Sequence, residues 1–153
     1  MYVISCLMFS LDRRPQTGPS GHRTVEWEAP DEVSEVSLDV AQFKQALLDL
    51  LLNAQQAMPD GGVLVVQIGK RDGGVYVDIS DTGIGIPEED QEKVFNLFYS
   101  SKPDGSGLGL GIARKIVEAH HGSLNLTSQP GEGTTFSICL KTHPIQERDP
   151  DGA

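Results

Sequence analysis

Apolar and polar positions along the chain change period several times, and each change marks an element. Residues 24–28 alternate and predict a short strand. From 40 to 58 the period becomes helical: Phe43, Leu47, Leu50, Ala54, Ala57 and Met58 fall on one side, a stripe that packs on a sheet. Asp39 stands before this run as its predicted N-cap, and Met58-Pro-Asp-Gly-Gly62 stops it. Residues 63–71 and 75–80 read as two strands joined by Asp72-Gly-Gly74, a hairpin. Pro87 predicts a short helix through about residue 98, with Glu88, Glu89 and Asp90 at its positive end. Residues 99–107 read as a polar, glycine-bearing loop. A helix is predicted over 108–121, with Gly122 in the left-handed position past its end. Strands over 123–128 and 134–141 follow, joined by Gln129-Pro-Gly-Glu-Gly133. Helices and hairpins laid on one sheet predict a two-layer α/β sandwich.

Composition narrows the class. A chain of 153 residues with 38% apolar and 22% charged residues is sized and composed for one folded domain. The expected limits are an N-terminal stump and linker over 1–22, an organised domain over 23–142, and a flexible tail over 143–153. The net charge of −10 leaves no electrostatic footprint for nucleic acid or an anionic membrane surface. Cys6 and Cys139 lie far apart and form no C-x-x-C pair, so a reduced, cytoplasmic setting is expected. No apolar run reaches the roughly 18–20 residues that span a bilayer. The apolar opening, 1–11, lacks preceding basic residues and a cleavage site, so it does not read as a signal peptide.

Three stretches carry candidate chemistry. The first is a polar stripe on the long helix, Gln45, Asp49, Asn53 and Gln56, spanning roughly 80° of arc. One reading is a solvated helix face. The other is a wall facing a ligand, and Asn53 supports it by interrupting the apolar run 50–54. An uncharged amide there can offer its oxygen to a hard cation such as Mg²⁺, which takes its remaining ligands from water and phosphate. The second stretch is Asp81-Thr-Gly-Ile-Gly-Ile-Pro87, just past a strand. Its glycines permit sharp turns and close approach to a flat ligand, and its carboxylate can accept from an exocyclic amine such as that of adenine. A plain loop with a capping aspartate reads equally well. The third is Ser100-Ser-Lys-Pro-Asp-Gly-Ser-Gly-Leu-Gly-Leu-Gly111, which leads into a helix N-terminus, where free N–H groups favour anions. It is not a dinucleotide fingerprint, because Leu110 breaks the G-x-G-x-x-G spacing and no strand precedes it; nor is there a Walker A motif.

Taken in order, Asn53, DTGIGIP (81–87), FNLF (95–98), GSGLGLG (105–111) and GEGTTF (131–136) resemble the N, G1, F, G2 and G3 boxes of the histidine-kinase ATPase domain. That domain belongs to the group that includes DNA gyrase, the ninety-kilodalton heat-shock chaperones and MutL. The resemblance covers about 23–142, and the run YSSKPDGSGLGLGIARKIVEAHHG (99–122) is most similar to nitrogen-regulation-type sensor kinases. It implies a Bergerat-type fold, a mixed sheet with helices on one face. It implies ATP and Mg²⁺ as ligands, with Asn53 on the metal and Gln56 beside it on the pocket wall. Asp81 would meet the adenine amine, with Gly83, Gly85 and Ile86 around the base and Thr134 helping to hold it. Gly107, Leu108, Gly109 and Leu110 would meet the phosphates, and Lys102 could reach the γ-phosphate. Phe95 and Phe98 would seat a lid, or serve as ordinary core aromatics. The chain departs from the pattern at Asp49, where the kinase branch usually carries Asn and the gyrase-like branch an acidic base. None of His22, His120, His121 and His143 has the context of a phosphoacceptor; His120 and His121 end a helix, where a cation complements the dipole. The implied function is the catalytic domain of a sensor kinase, monomeric in isolation. Its partners would be a phosphoacceptor and dimerisation domain on another part of the protein, and a response regulator. Two alternatives stay open: a nucleotide-gated binding module, and an ATPase of the gyrase or MutL kind with Asp49 as base.

Overall fold

The computed structural model describes residues 23–28, 36–96 and 109–142. Among these residues, five strands form one sheet: β1 (Arg23–Glu28), β2 (Gly62–Arg71), β3 (Gly74–Asp81), β4 (Ser123–Gln129) and β5 (Gly133–Lys141). Their order across the sheet is β1-β2-β3-β5-β4. β1 runs parallel to β2 and every other pair is antiparallel, so the sheet is mixed. Two α-helices, α1 (Val40–Gln56) and α2 (Gly109–Ala119), cover one face.

Period-2 patterning selects that face. Val75, Val77 and Ile79 are buried on β3, with Leu64, Val66 and Ile68 on β2 and Phe136, Ile138 and Leu140 on β5. Phe43, Leu47, Leu50 and Ala54 of α1 and Ala113 and Val117 of α2 are buried with them. Full burial of each large apolar side chain stabilises the fold by roughly 1.5–3 kcal/mol. The α1 stripe therefore packs as its period predicts, joined by Ala46, which is also fully buried.

Both ends of α1 follow local chemistry. The Asp39 carboxylate accepts the Gln42 N–H at 3.1 Å, satisfying one orphan donor of the first turn. The helix ends at Gln56, two residues before its predicted limit, because the residue before Pro59 is disfavoured in helical backbone. The β2–β3 hairpin turns on Asp72 and Gly73, both with positive φ (51° and 73°), as a two-residue primed turn demands.

Two local predictions are corrected. The segment after Pro87 is not one helix: it forms two 3-10 turns, Glu88–Asp90 and Lys93–Phe95. Residues 88–92 are all charged or amide-bearing, so no apolar stripe exists there to hold an α-helix on the core. Second, the left-handed residue after α2 is His121 (φ 58°), not Gly122. The His121 N–H donates to Glu118 O and the Gly122 N–H to Val117 O, both at 3.0 Å, which is a Schellman ending. Gly122 is instead required by close packing, since a Cβ there would stand 2.6 Å from Cys139 O.

His120, just past the end of α2, bonds through its ring. Ile116 O can only accept, so the Nδ1–H of His120 donates to it at 2.7 Å. The backbone N–H of Asp39 then donates to Nε2 at 2.9 Å. The ring is thereby hydrogen-bonded at both nitrogens. It joins the end of α2 to the start of α1, edge-on to Phe43.

Candidate nucleotide site

The polar stripe on α1 divides. Gln45 and Gln56 are exposed, whereas Asp49 and Asn53 are half-buried. Asn53 closes the last full turn of the helix, its carbonyl accepting the Ala57 N–H at 3.0 Å. The Gln45 amide donates to Asp49 Oδ1 at 2.9 Å. Asp49 Oδ2 is buried and has no hydrogen-bond partner among the described residues. Burial raises the Asp49 carboxyl above its ordinary value of 3.8, and the Gln45 hydrogen bond opposes part of that rise. Asp49 also adjoins the start of α2: a Cβ on Gly109 would stand 3.6 Å from Asp49 Cβ and 3.8 Å from its Oδ1.

The loop after β3 is fixed on three sides. Asp81 is 6% exposed, and its Oδ1 accepts the Gly83 N–H at 2.9 Å. The Ile84 N–H donates to Ala57 O at 3.0 Å, tying the loop to the end of α1 one turn beyond Asn53. The Gly131 N–H donates to Ile84 O at 2.8 Å, tying it to the β4–β5 turn. Ile86 packs against the core, and its N–H donates to Ser128 Oγ at 2.8 Å. The Gln91 amide donates to Ile86 O at 3.1 Å and to Ser128 O at 3.2 Å, locking the end of the loop to β4.

The glycines serve this packing. Gly85 has φ +72°, and a Cβ on it would lie 2.1 Å from Gln129 O; a Cβ on Gly83 would lie 2.3 Å from Ala57 O. Neighbouring backbone, and not only a ligand, therefore requires them, which the sequence alone did not indicate.

Thr134 on β5 pairs with Asp81 at the head of this loop. It is 4% exposed. Its hydroxyl lies 2.8 Å from that of Ser128, which donates to Gly133 O at 3.0 Å. Thus α1, the 81–87 loop, the first turn of α2 with half-buried Gly109 and Leu110, and β5 bring the described sequence candidates to one end of the sheet. Lys102, Gly107, Leu108, Phe98 and the 99–107 loop lie outside the described residues. Phe95 packs against the core edge-on to Phe136, at 6.2 Å between centroids, with the Arg114 guanidinium 5.0 Å from its ring centre. Phe95 is half-buried.

Sequence reasoning missed Ser128 and Gln91. Ser128 had a signal: it shares the inward parity of Leu124 and Leu126 on β4, so a polar residue stood at an apolar position. Gln91 had none, because its partners are 5 and 37 residues away.

Among the described residues, no helix is long and apolar enough to cross a membrane, and no group of three or more His, Cys, Asp or Glu could hold a metal. Residues 38–144 match the family model described as histidine kinase-, DNA gyrase B- and HSP90-like ATPase. The chain is 34% identical to the sensor histidine kinase ZraS of Escherichia coli (strain K12), over 94% of this chain and 30% of that protein. It is 36% identical to the signal transduction histidine-protein kinase AtoS of the same organism, over 76% of this chain and 19% of that protein. The chain thus spans less than a third of the length of these curated relatives. Among solved structures, the mycobacterial sensor histidine kinase MprB is 35% identical with a TM-score of 0.68, covering 79% of this chain and 84% of that one. The catalytic domain of histidine kinase ThkA, in a nucleotide-free form, is 30% identical with a TM-score of 0.70, covering 79% of this chain and 81% of that one. With its mixed sheet, helices on one face and motif order, the chain belongs to the histidine kinase-, DNA gyrase B- and HSP90-like ATPase family, in its sensor histidine kinase branch.

Proposed function

We propose that the chain binds Mg²⁺–ATP at this end of the sheet and, within a longer protein, presents the γ-phosphate to a histidine on a phosphoacceptor domain. A response regulator would then receive the phosphoryl group. The observation that carries the reading is the buried Asp81 carboxylate, held by the Gly83 N–H opposite Thr134, with its loop bonded to the end of the helix bearing Asn53. A fixed, buried acceptor beside a polar threonine suits a base edge bearing an amine.

The donor set fits a metal carried by the nucleotide. Asn53 supplies an amide oxygen, and the described residues offer no cluster that could hold a cation unaided. Mg²⁺ characteristically takes one or two protein oxygens and completes its shell with water and phosphates. When bound, it would neutralise charge on the phosphates. The chain's own contribution is positioning: Asn53 and Gln56 from α1, Asp81, Gly83, Gly85, Ile86 and Thr134 around the base, and Lys102, Gly107, Leu108, Gly109 and Leu110 along the phosphates.

Calorimetry on Asn53→Ala tests the reading. The wild-type chain should bind ATP more tightly with Mg²⁺ than without. The variant should lose that difference while its thermal unfolding stays within about 1 kcal/mol of wild type, since alanine is the better helix former. A Mg²⁺-dependent affinity that survives the substitution removes the metal role of Asn53.

A second reading, slow ATP hydrolysis with Asp49 as the base, is favoured by one observation, the buried Oδ2, which has no hydrogen-bond partner among the described residues. Under it, Asp49→Asn lowers steady-state hydrolysis by the isolated chain without lowering affinity. Unchanged turnover leaves Asp49 as part of the wall.

A further inference from the structure

We infer that Ser128 is a positioning residue that fixes the hydrogen-bond polarity of Thr134, and through it the preference of the pocket for a base bearing an exocyclic amine. The inference rests on the nucleotide-binding reading above. Ser128 lies on β4 at 9% exposure. Its hydroxyl bonds neither to Gly83, which caps Asp81, nor to the helix that bears Asn53.

The argument is a count of protons. A serine hydroxyl has one hydrogen to give and two lone pairs to receive. Among the described residues, three groups lie within bonding distance of Ser128 Oγ: Ile86 N at 2.8 Å, Gly133 O at 3.0 Å and Thr134 Oγ1 at 2.8 Å. The Ile86 N–H can only donate and the Gly133 carbonyl can only accept. Ser128 therefore spends its one hydrogen on Gly133 O, and the Thr134 contact is satisfied only if Thr134 donates. This assignment gives Ser128 two bonds received and one given, which is its full capacity.

The consequence falls on Thr134. With its hydrogen committed to Ser128, its oxygen has lone pairs alone to offer a ligand. Asp81, its register partner, carries a carboxylate on the same inward side of the sheet. The two side chains then present acceptors without a donor, which suits an amine or a water hydrogen and opposes a carbonyl oxygen. A freely rotating threonine would not discriminate, because it could turn its hydrogen toward a carbonyl. The buried position raises the effect, since an unmatched polar pair away from water is costly.

ATP and inosine triphosphate are the probes, because hypoxanthine carries a carbonyl where adenine carries the amine. Competitive calorimetry on the whole chain should show wild type preferring ATP. Ser128→Ala should reduce the ATP-to-inosine ratio about tenfold, the size of one net hydrogen bond. Ser128→Thr, which keeps the hydroxyl, should restore it. An unchanged ratio in Ser128→Ala overturns the inference even if both affinities fall, as a general loosening would lower them together. Should that variant fail to fold, NMR of the wild-type chain decides. A Thr134 hydroxyl proton protected from exchange and close to the Ser128 β-protons supports the assignment, and one in fast exchange overturns it. Failure of the nucleotide reading is separate and visible first: wild type would bind neither triphosphate, and the base preference would fall with it.

Discussion

The Asp49 side chain lies against Gly109, the first residue of α2, within 3.6–3.8 Å of where a methyl group on that glycine would stand. A carboxyl is thereby enclosed between two helices, with Oδ1 bonded to Gln45 and Oδ2 buried. Burial makes the folded chain hold the Asp49 proton more tightly than the unfolded chain does. In the range above the ordinary value of 3.8, the native state therefore binds more protons, and this group's contribution to stability falls as pH rises. Asp49→Asn removes the cost of the ionised form. The variant should be more stable than wild type at neutral pH, with the difference shrinking as the pH is lowered toward about 4. Urea unfolding at several pH values checks this; a difference that grows on acidification would contradict it.

Asp81→Asn should weaken ATP by about 1.5–3 kcal/mol, the worth of a hydrogen bond to a charged acceptor. The loss for GTP should be much smaller, because guanine offers a carbonyl where adenine offers its amine. Parallel titrations with both nucleotides distinguish base reading from collapse of the loop. Equal losses would mean that Asp81 shapes the loop through Gly83 and does not read the base.

Gln91→Ala removes the two bonds that lock Ile86 O and Ser128 O together. The expected cost is about 1–3 kcal/mol, because both carbonyls lose a donor at a partly buried site. Amide exchange should accelerate at Ile86, while exchange on β2 stays as in wild type. Uniform acceleration throughout the sheet would place the effect elsewhere.

Gly85→Ala should destabilise the chain by more than about 1 kcal/mol, since a side chain at φ +72° is strained and its Cβ would lie 2.1 Å from Gln129 O. The damage should appear as a raised exchange rate at Gly131, whose N–H bonds to Ile84 O. A variant as stable as wild type would show that the loop and the β4–β5 turn can separate without cost.

Local order is legible in the sequence because it is written in nearest neighbours. The 3.6-residue spacing of Phe43, Leu47, Leu50 and Ala54, the cap at Asp39 and the Asp72-Gly73 turn each depend on residues within one or two turns of chain. The order of the motifs likewise singles out Asn53, Asp81 and Thr134. Tertiary structure alone decides what lies between distant segments. β5 enters the sheet between β3 and β4, which sets Thr134 opposite Asp81. Ser128 reaches Ile86 across 42 residues, and His120 reaches Asp39 across 81. Even the glycines of the 81–87 loop owe their necessity to Ala57 and Gln129, which no window around them contains. The physical reason is that side-chain period records which face is buried, whereas the pairing of strands and the satisfaction of buried polar atoms are settled only when separate segments meet.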